Sequence, residues 1–127
     1  FLLSNITYSQ VQAYKSLFVQ FANVMQRDAF KSKFSLPAWK AELELCWSAK
    51  RIAKLLLQFE AGLRKHSKQS SWADHRRKWI NFVSNAISIS EIAKALYQLE
   101  LNIRWTAANP SWRSQRNFWV KRIQSLY

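Results

Sequence analysis

Ser71-Trp72-Ala73-Asp74-His75-Arg76-Arg77-Lys78-Trp79 returns forty residues later as Ser111-Trp112-Arg113-Ser114-Gln115-Arg116-Asn117-Phe118-Trp119. Both copies keep Ser, Trp, Arg and Trp at the same offsets. The match extends outward without a gap when residues 39–83 are laid over residues 79–123. Trp39 then meets Trp79, Ser48 meets Ser88, and Ile52-Ala53-Lys54 meets Ile92-Ala93-Lys94. Leu56, Gln58, Glu60 and Arg64 meet Leu96, Gln98, Glu100 and Arg104. Apolar character is kept at Leu43/Val83, Phe59/Leu99, Leu63/Ile103 and Val83/Ile123. A fixed period of this length marks stacked supersecondary units that cannot bury their apolar faces alone and must share a core. Such a chain presents surfaces rather than an obvious catalytic pocket.

Composition agrees with a helical reading. The 127 residues include one Gly and two Pro, against 49% hydrophobic residues, seven Trp and eight Phe. Tight turns and sheets call for Gly and Pro, and helix interiors exclude them. The length suits one domain. The expected fold is all-α, with about six antiparallel helices in two and a half helix-pair repeats of 40 residues. The domain divides into an N-terminal helix within 1–30, a first repeat over 36–70, a second over 71–110 and a half repeat over 111–127.

Periodicity places the helices. Helix 1 is expected from Ser9 to about Arg27, with Val11, Tyr14, Leu17, Phe18, Phe21 and Met25 on one stripe. It tracks the third helix weakly at a shift of 38, through Tyr14/Ile52, Leu17/Leu55, Gln20/Gln58 and Phe21/Phe59. Helix 2 runs from about Leu36 to Trp47, with Pro37 in its first turn. Helix 3 runs from about Ala49 to His66 behind Ser48. Helix 4 follows a cap at Ser71. Helix 5 begins at Ser88, which has Glu91 at capping-box spacing, and continues to about Trp105. Helix 6 follows the turn Asn109-Pro110-Ser111.

The offsets within Ser-Trp-x3-Arg-x2-Trp put Trp72, Arg76 and Trp79, and likewise Trp112, Arg116 and Trp119, on one helical face. A structural ladder is expected, with the guanidinium either between indoles or paired to the repeated Glu60 and Glu100, whose carboxylates beside an apolar stripe need partners. The alternative is a ligand-facing ladder of the kind that stacks single-stranded nucleic acid.

Charge is the second signal. Twenty Lys and Arg against seven Asp and Glu give a formal net of +13 and a pI near 10.4, which favours polyanionic partners. The cations gather as Lys50, Arg51 and Lys54 on helix 3, Arg77 and Lys78 on helix 4, and Arg113, Lys121 and Arg122 on helix 6. These eight are the expected phosphate-contacting residues. Leu101 and Phe118 fall off the core stripes and are expected partner contacts.

No residue is read as catalytic and no metal or cofactor is expected. Cys46 is the one cysteine, and there is no phosphate loop, nucleophile elbow or metal-ligand spacing. Phe1-Leu2-Leu3 is too short for a signal or membrane segment, and the chain reads as a piece of a larger protein. Asn5-Ile6-Thr7 fits the glycosylation tripeptide.

The repeat unit, Trp-x7-Trp/Ile-Ser-x3-Ile-Ala-Lys-x-Leu-x-Gln-Phe/Leu-Glu-x2-Leu/Ile-Arg followed by Ser-Trp, resembles helical segments of large chromatin regulators with DDT domains and PHD fingers. These are the bromodomain-adjacent-to-zinc-finger family of animals and the related plant DDT/PHD proteins. The segments that carry the resemblance are Trp79-Ile80-Asn81-Phe82-Val83-Ser84-Asn85-Ala86 and Leu99-Glu100-Leu101-Asn102-Ile103-Arg104-Trp105, with residues 39–64 in the same outline. The resemblance implies a nuclear, non-catalytic module of a chromatin-associated protein. Its expected partner is DNA or the nucleosome. Another subunit of a chromatin complex is the alternative, and neither a small-molecule substrate nor a membrane is expected.

Overall fold

The forty-residue register reappears in the hydrogen bonds of the computed structural model, which describes residues 2–25, 27–104, 106 and 109–127, residues 2–7 by their backbone. The chain is all-α: α1 (Leu2–Asn23), α2 (Leu36–Leu45), α3 (Ala49–Gly62), α4 (Trp72–Ser84), α5 (Ile89–Leu101) and α6 (Pro110–Gln124). Short 3-10 turns lie at Arg27–Ala29 and Lys65–Ser67. Among the described residues no strand forms; two isolated bridges join Phe30 to Leu63 and Lys68 to Ile103. Trp105, which ends both the expected fifth helix and the resemblance motif, lies outside the described residues, as do the side chains of Asn5-Ile6-Thr7.

Polar residues start most helices as their spacing implies. The Ser35 hydroxyl accepts from the Ala38 N–H at 3.3 Å, and Ser48 does so from Arg51 at 3.2 Å. Ser88 accepts from Glu91 N–H at 3.3 Å, while the Glu91 carboxylate accepts from the Ser88 hydroxyl and the Ile87 N–H. Asn109 caps α6 through Ser111 and Trp112 N–H. Ser71 departs from expectation. Its backbone is already helical (φ −69°, ψ −15°) and its side chain makes no cap bond. The chain enters α4 through a turn, Trp72 N–H to Gln69 O at 3.0 Å, so the hydroxyl is not placed to fold back on the first N–H groups.

Helices α1, α3 and α5 end before the lengths that their apolar stripes imply. The reason is tertiary. Lys31 N–H donates to Gly62 O at 2.7 Å, Gln69 N–H to Asn102 O at 2.9 Å, and the Asn109 side chain to Val24 O at 2.9 Å. The segment after each long helix thus satisfies orphan carbonyls at the end of another one, in the order α1 to α3, α3 to α5 and α5 to α1.

The helix packing closes into a ring. α3 packs on α4 and α5, α4 on α5, α5 on α6 and α1, α1 on α6 and α2, and α2 on α3. Tyr14/Ile52/Ile92, Phe18/Leu56/Leu96 and Phe21/Phe59/Leu99 are all buried. Three indole N–H groups reach across to backbone carbonyls: Trp39 to Leu55 O, Trp79 to Ala95 O and Trp119 to Leu17 O, at 2.9, 2.9 and 2.8 Å. Leu55 and Ala95 are forty residues apart, and Leu17 lies at the weak 38-residue register of α1. Helix α1 therefore gives Trp119 the acceptor that α3 and α5 give the other two, and the last helix closes onto the first.

One core group is left over. Tyr14 is fully buried, and its hydroxyl has no hydrogen-bond partner among the described residues. Burial holds its pKa well above the ordinary phenol value. Removing an unsatisfied buried hydroxyl relieves a desolvation cost. Tyr14→Phe is expected to leave stability unchanged or raise it by up to about 1 kcal/mol in a denaturant melt. A clear loss would show that the hydroxyl is bonded in solution.

Candidate nucleic-acid interface

The repeated polar residues are found inside, not on a ligand-facing surface. Glu60 is 1% exposed, and its carboxylate accepts from Arg76 Nε (2.9 Å), Arg76 Nη2 (2.9 Å), Trp72 Nε1 (2.8 Å) and Lys68 Nζ (3.1 Å). Forty residues on, Glu100 accepts from Arg116 Nε and Nη2 and from Trp112 Nε1, each at 2.8 Å. Trp72 meets Trp79 edge to face at 5.3 Å, and Trp112 meets Trp119 the same way at 5.2 Å. Of the two expected arrangements for Arg76 and Arg116, the ion pair to glutamate is the one formed. All four indoles are buried.

At Glu60 two opposing effects meet. Burial pushes its carboxyl pKa up, but the hydrogen bonds from Arg76 and Trp72 and the charge of Lys68 outweigh that and hold it below the usual glutamate value. The bonded guanidinium of Arg76 is in turn held more firmly protonated. These are bidentate, charge-assisted pairs in a low-dielectric setting.

Placing two carboxylates in the interior changes the outside. Glu60 and Glu100 are buried, and Asp28, Glu42, Glu44, Asp74 and Glu91 are the other acidic residues of the chain. After Glu100 there is no acidic residue at all. Lys50, Arg51, Lys54, Arg77, Lys78, Arg113, Lys121 and Arg122 lie on the outside, Arg77 and Arg113 included. They do not follow the repeat. Lys54 alone has a cation, Lys94, at the same place in the next copy; Lys78 falls on Phe118, Arg51 on Glu91 and Arg122 on Phe82.

The structure brings some of these cations together. Arg51 and Lys54 line a hollow between α2 and α3 that also holds Glu42. Lys78 lines another, of about 370 Å³, with His75 and Gln98 between α4 and α5. Arg122 lies 4.2 Å over the ring of Phe118. Helix α4 packs on α3 and α5, and α6 on α5 and α1, and Arg77/Lys78 and Lys121/Arg122 are exposed on these two helices.

Phe118 and Leu101 are 58% and 51% exposed. A further set is absent from the sequence-based expectations. Trp47, Ile87 and Tyr127 are exposed and stand forty residues apart. Their common spacing is the signal, masked by their apolar side chains. Trp47 stacks on Tyr8 at 4.7 Å and carries the Lys15 ammonium 3.6 Å over its ring. Lys15 itself is buried and donates to the carbonyls of Glu44 and Cys46 at the end of α2, so that cation is structural.

The fold and surface define a helical module with its repeated carboxylates inside and most of its cations outside. A family model described as a domain of unknown function (DUF8799) matches residues 55–104, less than half of the chain. That segment runs from the middle of α3 to just beyond α5 and contains the whole Glu60-Trp72-Arg76 clamp. No curated protein and no solved structure matches. Among the described residues no cluster of three or more His, Cys, Asp or Glu could hold a metal, and no helix is long and apolar enough to cross a membrane.

Proposed function

We propose that this chain is a non-catalytic basic module of a chromatin-associated nuclear protein, which binds DNA or nucleosomes through the Lys/Arg faces of α3, α4 and α6. The observation that carries the reading is the segregation of charge. Two carboxylates are withdrawn into the core, and the cations outside far outnumber the acids that remain there. Such a surface attracts a polyanion by counterion release and gives affinity with little base selectivity. The resemblance to DDT/PHD chromatin regulators points the same way.

The test is a combined substitution of Arg77, Lys78, Lys121 and Arg122 by Gln. These side chains lie off the core, so helical content should be unchanged by circular dichroism. Duplex-DNA affinity should fall, and the slope of log K against log salt should flatten by about 0.9 for each phosphate no longer neutralised. A variant that binds as the parent does would remove these four from the interface.

A second reading, a protein-interaction scaffold in a chromatin-remodelling complex, is favoured by the exposed Phe118 and Leu101. An apolar interface of that kind would be nearly insensitive to salt, which separates the two.

A further inference from the structure

The seam between α1 and α2 lacks the clamp found at the α3–α4 and α5–α6 seams. Where those seams have Glu60 and Glu100, α1 has Ala22 at its 38-residue register. Where they have Trp72/Trp112 and Arg76/Arg116, the chain has Ser32 and Leu36. The missing indole is replaced by Phe30 and Phe34, stacked at 5.0 Å. Phe34 lies so close to Gly62 that a Cβ there would stand 2.5 Å from its ring, which accounts for the chain's one glycine. The clamp glutamate that neutralises Arg76 and Arg116 at the other seams has no counterpart here.

Cations gather at this seam around a hollow of about 730 Å³ lined by Arg27, Lys31 and Arg64, with Phe34 and Leu36 on its wall and Asp28 as its carboxylate. The junction fixes two of the three. Lys31 N–H is bound to Gly62 O, and Arg64 N–H to Ala29 O, both at 2.7 Å. Arg64 Nε donates to Phe30 O at 2.9 Å, leaving its terminal nitrogens without a partner among the described residues. Neither Arg27, Lys31 nor Asp28 forms an ion pair within the described part of the molecule. Three cations around one carboxylate make a ready receptor for an anion, and a guanidinium with a free edge suits a phosphate.

We propose that this hollow seats a phosphate of a nucleic-acid backbone, an anchor additional to the eight helix-face cations; the assignment rests on the DNA-binding reading above. A phosphate alone occupies a small part of 730 Å³ and would leave the Phe34/Leu36 wall wet. The sugar next to it in a strand covers that wall.

The test uses the full chain and a fluorescently labelled duplex oligonucleotide, followed by anisotropy across a salt series. Arg27→Gln with Lys31→Gln removes two cations that form no internal ion pair, so the melting temperature should be unchanged. DNA affinity at low salt should fall about three- to tenfold, and the salt slope by about 0.9 for each phosphate no longer neutralised. If this variant binds like the parent while the α4/α6 quadruple variant is weakened, the hollow is not a seat and the module reading stands. If the parent binds no DNA at low salt, both fall together. Amide resonances of Lys31 and Arg64 should move on adding the duplex. If inorganic phosphate moves them to saturation and the duplex does not, the hollow takes a free anion and the nucleic-acid assignment is overturned.

Discussion

Glu60→Gln is expected to destabilise the fold by about 3 kcal/mol, the lower end of the range for breaking a buried ion pair. The carboxylate accepts from Arg76, Trp72 and Lys68 at once, and the substitution leaves an amide that can satisfy only part of that set. The cost stays at the lower end because the Arg76 side chain is 42% exposed and can turn its charge to water. The pH dependence has a definite sign. A carboxyl held below its usual value contributes stability that is complete above the unfolded glutamate pKa, ~4.3, and is lost as pH falls through the folded value. The gap between parent and variant in urea melts should therefore be widest near neutral pH and close on acidification. A gap that is constant down to strongly acid pH would mean the loss is one of packing alone.

Trp119→Ala is expected to cost about 3–5 kcal/mol, the range for truncating a large core aromatic. The indole is fully buried, touches Phe21 and Trp112, and donates to Leu17 O. It joins the last helix to the first, so its loss also unlatches α1. Hydrogen exchange should show α1 amides losing protection more than those of α3. Trp79→Ala falls in the same energetic range but opens the α4–α5 seam instead. A melting curve like the parent's for Trp119→Ala would mean that α6 does not close onto α1.

Much of the core was readable because it repeats. Trp72/Trp112, Arg76/Arg116 and Glu60/Glu100 recur together, which pointed to an internal ladder but left open whether each guanidinium lay between indoles or on the glutamate. Helix ends were less readable. The apolar stripes of α3 and α5 run on to Leu63 and Ile103, yet the helices stop where the chain from another seam takes their last carbonyls, an arrangement no local pattern announces. Ser71 looked like a cap by residue type, but the turn from Gln69 had already set its backbone.

The surface was legible only in outline. The excess of cations and their placement on α3, α4 and α6 could be read from the sequence, whereas which of them share a hollow depends on packing. The hollow at the α1–α2 seam was hidden for a different reason. It arises from what is missing, an Ala22 in place of a glutamate, and from the change of register between 38 and 40 residues across the segment after α1. Lys31 and Arg64 are far apart in sequence and meet through the bridge of Phe30 to Leu63.

The central claim is that the cations outside this core bind a nucleic-acid backbone. Equilibrium binding of the parent chain to duplex DNA, measured from low to physiological salt and with two unrelated sequences, tests it most directly. The expected result is tight binding at low salt, a steep linear fall of log K with log salt at about 0.9 per phosphate neutralised, and nearly equal affinities for the two sequences. No measurable binding at low salt, or an affinity indifferent to salt, would contradict it.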